Sequence, residues 1–164
     1  IRSCRNNQFQ VRTGTGKSAL AFQIGANVAD SGHKVQIFSL EMAGRIVCYR
    51  LVSSEVAVPY QDMKRGWMDS DGWTRIYNAL ARLEHLPLYI NDSASQSIAA
   101  IEAEVSALDD CDLFIVDHLR LIRDTRKGEN EVGVHRWCNE CKIQQMAFTN
   151  KWKKPPKDYE LPTP

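Results

Sequence analysis

Apolar positions recur every three to four residues in some stretches of this chain and every second residue in others, and the two patterns take turns. From Lys17 to about Ser31, Leu20, Phe22, Ile24, Ala26 and Val28 spread apolar surface around most of a turn, which predicts a helix buried against a sheet, with Gly32 as its stop. Lys34–Leu40 alternates at Val35, Ile37 and Ser39 and reads as a strand. Gly44 to Val56 predicts a helix with Ile46, Val47, Leu51 and Val52 available for burial, and Pro59 to Ser70 reads as a loop. Asp71 is placed to cap a helix on which Trp73, Ile76, Tyr77, Leu80 and Leu83 recur at helical spacing, a stripe that reads as core packing. Leu88-Tyr89-Ile90 predicts a short strand, and the segment after Ser93 a helix with Ile98, Ile101, Val105 and Leu108 on one face. Leu113-Phe114-Ile115-Val116 is a continuous apolar run of the kind found in strands covered on both faces. Helices alternating with strands imply a parallel sheet, because a crossover helix joins parallel neighbours.

The two ends do not follow this pattern. Before residue 11 only Phe9 and Val11 alternate within a polar stretch, a poor strand at best, and 133–164 ends in a Pro-containing segment that reads as irregular. Composition narrows the class without naming a partner. The 164 residues suffice for one domain with a real core, and 43% hydrophobic with 25% charged residues is the balance of a soluble globular chain. A net charge of +1 predicts neither nucleic-acid nor membrane binding, so a DNA contact would need a local patch. No apolar run reaches the length of a membrane span, and Ile1–Arg5 is not a signal peptide. Five cysteines at irregular spacing do not form a disulfide framework, which makes the cytoplasm the expected location.

The chemistry is concentrated in three places. Gly14-Thr15-Gly16-Lys17-Ser18 opens the first helix and has the form of a phosphate-binding loop (Walker A). Small residues let successive N–H groups point at phosphate oxygens, Lys17 brings a positive charge to the β- and γ-phosphates, and the Ser18 hydroxyl suits Mg²⁺. The strict pattern has Gly where Val11 stands. Asp117 ends a buried apolar strand, a Walker B pattern in which the carboxylate holds Mg²⁺. Glu41 lies just past another strand, and in open α/β sheets that edge is where ligands bind.

Together these stretches resemble the C-terminal, RecA-like ATPase domain of DnaB-type replicative DNA helicases. The resemblance rests on Gly14-Thr15-Gly16-Lys17-Ser18-Ala19-Leu20-Ala21, Phe38-Ser39-Leu40-Glu41-Met42, Arg50-Leu51, Pro87-Leu88-Tyr89-Ile90-Asn91-Asp92 and Ile115-Val116-Asp117-His118-Leu119-Arg120-Leu121-Ile122, and it covers about residues 11–132. His118 and Arg120 stand where the family usually has Tyr and Gln. The resemblance implies an α/β, RecA-like P-loop NTPase domain with a mostly parallel sheet flanked by helices. It implies ATP and Mg²⁺ as cofactors, with Gly14, Thr15, Gly16, Lys17 and Ser18 on the nucleotide and Ser18 with Asp117 on Mg²⁺. Lys17 and Glu41 would be catalytic, Glu41 polarising the attacking water. Intact members are homo-hexamers that move along single-stranded DNA, with no membrane partner.

Past Asn130-Glu131-Val132 the resemblance stops. The family continues with a strand ending in Ser-Gln that senses the γ-phosphate, and later an arginine finger, and neither is recognisable here. The expected organisation is therefore a partial ATPase domain over 1–132, incomplete at its C-terminus, and a non-matching tail over 133–164. From this follow nucleotide binding, feeble hydrolysis and no unwinding by this chain alone. The alternatives are a non-catalytic remnant, truncated or frameshifted, and a RecA-like ATPase outside replication. Codons for Val134–Cys138 read one base later can encode the Ile-Gly-Gly that suits a frame shift. In the tail, His135, Cys138 and Cys141 have zinc-ligand character but no fourth ligand at suitable spacing, and ordinary thiols are the favoured reading.

Overall fold

The computed structural model describes residues 5–11, 16–117, 121–123 and 145–151. In chain order the elements are β1 (Arg5–Val11), α1 (Lys17–Asp30), β2 (Val35–Ser39), α2 (Gly44–Val56), α3 (Tyr60–Arg65), α4 (Ser70–Glu84), β3 (Leu88–Asn91), α5 (Ile98–Ala107), β4 (Leu113–Asp117) and β5 (Gln145–Lys151). All five strands are parallel and lie side by side in the order β1-β5-β4-β2-β3. Their C-terminal ends therefore share one edge, and the segments leaving β2 and β3 emerge there.

The alternation within each strand sends side chains to two separate cores. Val35 and Ile37 of β2 with Leu113 and Ile115 of β4 pack against Ala21, Phe22, Ala26 and Ala29 of α1 and Val47 and Leu51 of α2. The intervening Phe38, Phe114 and Val116, with Leu40, meet Ile101 and Val105 of α5 on the other face. That two-sided cover is why β2 and β4 are buried at every position, the polar Gln36 included. At the centre of the first core α1 approaches β4 so closely that a Cβ on Gly25 would lie 2.9 Å from Ile115 Cδ1. A third cluster, Val52, Val56, Val58, Met63, Ile76 and Ala79, joins α2, α3 and α4. Across its rim, Arg82 of α4 bonds Asp30 of α1 and Glu55 of α2 at 2.7 Å each.

Several elements differ from the sequence expectation. The 59–70 segment is not all loop: α3 occupies Tyr60–Arg65, entered from Pro59 and closed by Gly66 at φ +71°. Pro and Gly there are the start and stop of a short helix. The cap of α4 is Asp69, not Asp71, its Oδ1 accepting from Gly72 N at 2.7 Å. The apolar stripe of α4 is core only in part: Ile76 is buried and Leu83 packs against two of the clusters. Gly72, Ile76 and Ala79 face inward, while Trp73, Tyr77 and Leu80 are exposed, Tyr77 by 66%. On α1, Leu20 is likewise 55% exposed, because the buried face is Ala21, Phe22, Gly25, Ala26 and Ala29. The polar Arg5–Val11 segment does form a strand, and the reading of 133–164 as irregular did not foresee β5 at Gln145–Lys151, which pairs with β1 on one side and β4 on the other. His135, Cys138 and Cys141 lie outside the described residues.

Candidate functional site

Three separate stretches converge at the C-terminal edge of the sheet. The first is the start of α1. Gly16 precedes it with φ +84°, a left-handed conformation that suits glycine, and a backbone in that form turns the chain into the helix. Lys17 and Ser18 are the first two residues of α1, in the turn whose N–H groups lack intrahelical acceptors. Gly14 and Thr15 lie outside the described residues. The second is Asp117, the last residue of β4, 1% exposed. The third is Glu41, exposed in the short turn between β2 and α2.

Sheet register brings the second and third together. Ser39 and Asp117 are Cα partners across β2 and β4, and Leu40 N donates to the Asp117 carbonyl at 2.7 Å, so Glu41 follows directly on a residue bonded to Asp117. The turn is held inward by Ser39 Oγ, which donates to Met42 O at 2.7 Å.

The electrostatics centre on Asp117. Burial pushes its carboxyl above the ordinary 3.8, and the negative charge of Glu41 pushes it further. A hydrogen bond with the Ser18 side chain and the positive charges of Lys17 and Arg50 act against that rise. Every one of the sequence-predicted site residues that the structure describes with a functional side chain therefore interacts at this carboxylate. Arg50 is a residue the sequence reading left without a role. It sits about two turns into α2, and its charge acts on Asp117 from there.

The raised Asp117 pKa carries a sign. The folded chain holds this proton more tightly than the unfolded chain, so the stability it contributes is complete below pH 3.8 and is lost as pH rises through the folded value. Asp117→Asn keeps the shape and removes the charge. Without nucleotide, the melting temperature of the parent is expected to fall relative to Asp117→Asn as pH rises from 3.8 toward neutrality. Parallel melting curves across that range would contradict the burial argument.

Parallel strands between flanking helices, with a helix opening on the strand C-termini and acids at the ends of β2 and β4, define an α/β domain of the RecA-like class. Residues 9–146 match the DnaB-like helicase C-terminal domain family, and the chain belongs to that family. The replicative DNA helicase DnaB of Leifsonia xyli subsp. xyli is 34% identical over 124 residues, 73% of this chain and 27% of that protein. A probable replicative DNA helicase of Guillardia theta is 26% identical over 156 residues, 92% of this chain and 24% of that protein. The chain thus spans about a quarter of the length of these relatives. Among solved structures, an ATPase domain superposes with a TM-score of 0.79 at 21% identity, over 90% of this chain and 58% of the other. A DnaB-like replicative helicase described with its interactions with primase superposes at 0.77, also at 21% identity, over 87% and 38%. The family match reaches residue 146, past the point near 132 where the sequence motifs end. Among the described residues, no helix is long and apolar enough to cross a membrane.

Proposed function

We propose that this chain is the nucleotide-handling part of a DnaB-type replicative helicase, binding ATP with Mg²⁺ at the strand C-termini and hydrolysing it there. The observation that carries the reading is the convergence on Asp117 of the Ser18 side chain and of the Lys17, Glu41 and Arg50 charges, from segments far apart in the chain.

The donor set fits the group the family uses. The Ser18 hydroxyl and the Asp117 carboxylate, which interact with each other, are hard oxygen ligands, and Mg²⁺ is usually bound by one or two protein oxygens with phosphates and waters completing the shell. Ser18 and Asp117 would hold it, and a bound Mg²⁺ supplies charge neutralisation on the phosphates. The cost of keeping Asp117 ionised in a buried place is then offset by the cation. Lys17 and the N–H groups opening α1, with Gly14, Thr15 and Gly16 before them, bind and orient the phosphate chain. Glu41, exposed at the rim, accepts a hydrogen bond from the attacking water and orients it toward the γ-phosphate. Lys17 stabilises the negative charge on the transferring group. Arg50 adds a second positive charge to the same field.

In the longer proteins of this family the same site drives movement along single-stranded DNA in a homo-hexameric ring, and those partners belong to this proposal as well. Turnover by this chain alone is expected to be slow.

Glu41→Gln separates binding from chemistry. The variant is expected to bind Mg·ATP within about threefold of the parent and to hydrolyse it about 10²-fold more slowly or worse, as befits loss of a group acting on the water. Single-turnover hydrolysis with equilibrium binding on the same samples reads both. Unchanged hydrolysis, or an equal loss of affinity, would refute the role of Glu41.

A further inference from the structure

We infer that Asp92 is a positioning residue for Glu41, acting through the backbone of the turn that carries it. This rests on the hydrolytic reading of Glu41 above. Asp92 stands one residue beyond β3, at the same sheet edge as the site. Its Oδ2 accepts from the backbone N–H of Gly44 at 2.8 Å, a bond between residues 48 apart in sequence.

Gly44 opens α2, and its N–H is one of the donors a helix cannot satisfy internally. The residue in the cap position is Ala43, which makes no side-chain cap bond, so β3 provides the acceptor that the local sequence lacks. A carboxylate there also meets the positive end of the helix. The fit is close: a Cβ on Gly44 would lie 3.4 Å from Asp92 Oδ2 and 3.5 Å from Ile90 Cγ2.

The Glu41 turn is thereby held at both ends. Leu40 is bonded to the Asp117 carbonyl at one end and Gly44 to Asp92 at the other, with the Ser39 hydroxyl on the Met42 carbonyl between them. Three residues, Glu41 to Ala43, span the interval. Glu41 is exposed, so the course of its backbone matters more than burial in aiming its carboxylate. The anchor itself is braced. Asn91 Nδ2 donates to both oxygens of Glu104 on α5, at 2.7 and 2.6 Å, and Asn91 Oδ1 accepts from Ser93 N at 2.8 Å. The line of support runs from α5 through the end of β3 to the start of α2 and the Glu41 turn.

Single-turnover hydrolysis, ATP affinity and amide hydrogen exchange over residues 41–47 test it in the parent, Asp92→Ala, Asp92→Asn, Glu41→Gln and the Asp92→Ala/Glu41→Gln double variant. Asp92→Ala is expected to lower the hydrolysis rate about ten- to a hundredfold, the range a small misplacement of a reacting group commands, with ATP affinity within about threefold. Exchange across 41–47 speeds up in the same variant. Asp92→Asn, which keeps an acceptor oxygen, returns both rate and exchange to near the parent. The double variant is no slower than Glu41→Gln alone, because the two residues act through one group. An active parent whose rate or exchange is unmoved by Asp92→Ala, an Asn variant as impaired as Ala, or losses that add in the double variant overturns the inference alone. A parent that binds ATP without turnover overturns the hydrolytic reading, and the positioning role falls with it.

Discussion

Replacing Lys17 by Ala is expected to weaken ATP binding about ten- to a hundredfold while leaving the fold in place. Lys17 is the first residue of α1 and half-buried, outside the clusters that make the core. Removing it opens no cavity. A hydrogen bond to a charged group contributes about 1.5–3 kcal/mol, and each 1.4 kcal/mol is tenfold in affinity. The same change removes a positive charge that opposes the raised pKa of Asp117, so the site without nucleotide becomes still less tolerant of an ionised carboxylate. Calorimetric titration with Mg·ATP, beside a melting curve, reads both parts. Undiminished affinity in a folded variant would refute the phosphate-binding role of the α1 start.

Phe38→Ala is expected to cost about 3–5 kcal/mol, the largest effect on stability of any single change considered. Phe38 lies on β2 between β3 and β4, has no exposed surface, and packs with Phe114, Val116, Ile101 and Val105 where α5 covers the sheet. Truncation leaves a cavity against strands that cannot close over it, since their register is fixed by neighbours on both sides. A domain of this size loses roughly 2–4 °C of melting temperature per kcal/mol, so the expected drop is on the order of 10 °C. Leu20→Ala is the matched control. Its side chain is mostly in solvent and the melting temperature is expected to move by only about 2 °C or less. Equal shifts for the two variants would mean that the buried face of α1 or the β2–α5 packing is not as described.

The contrast between Phe38 and Leu20 also marks what was legible in the sequence. The run Leu113–Val116 announced itself because both faces of β4 are covered, leaving β-branched and aromatic residues at consecutive positions. Val35–Ser39 was readable by the alternation of Val35 and Ile37, although it too is buried on both faces. The bounds of α2 were readable from Gly44 and the spacing of Val47, Leu51 and Val52. The residues proposed for the site stand out in the sequence for a different reason: phosphate and Mg²⁺ chemistry admits few residue types at few spacings. Elements that rely on distant partners stayed hidden. The strand β5 is formed between β1 and β4, and Asn150 and Lys151 carry little strand signal of their own. On α4 the apolar residues exceed what one face can bury, and periodicity does not tell which of two adjacent stripes turns inward. Asp92 carries no structural task in the sequence beyond its place in the Pro87–Asp92 stretch, because the N–H it accepts from is 48 residues away. Arg50 has no visible task in the sequence, since its charge acts on Asp117 only once the fold brings α2 to the end of β4.

The central claim is that Lys17, Ser18, Glu41 and Asp117 form one nucleotide site. A ligand that binds only the folded state raises stability by about 2.7 kcal/mol at a hundred times its dissociation constant. The most direct measurement is the melting temperature of the unaltered chain with ATP and Mg²⁺ together, with each alone, and with neither. A rise with ATP and Mg²⁺ together that exceeds the sum of the separate effects, and that Asp117→Asn abolishes, is the predicted result. Melting that is indifferent to nucleotide, or a rise that Asp117→Asn leaves intact, would contradict it.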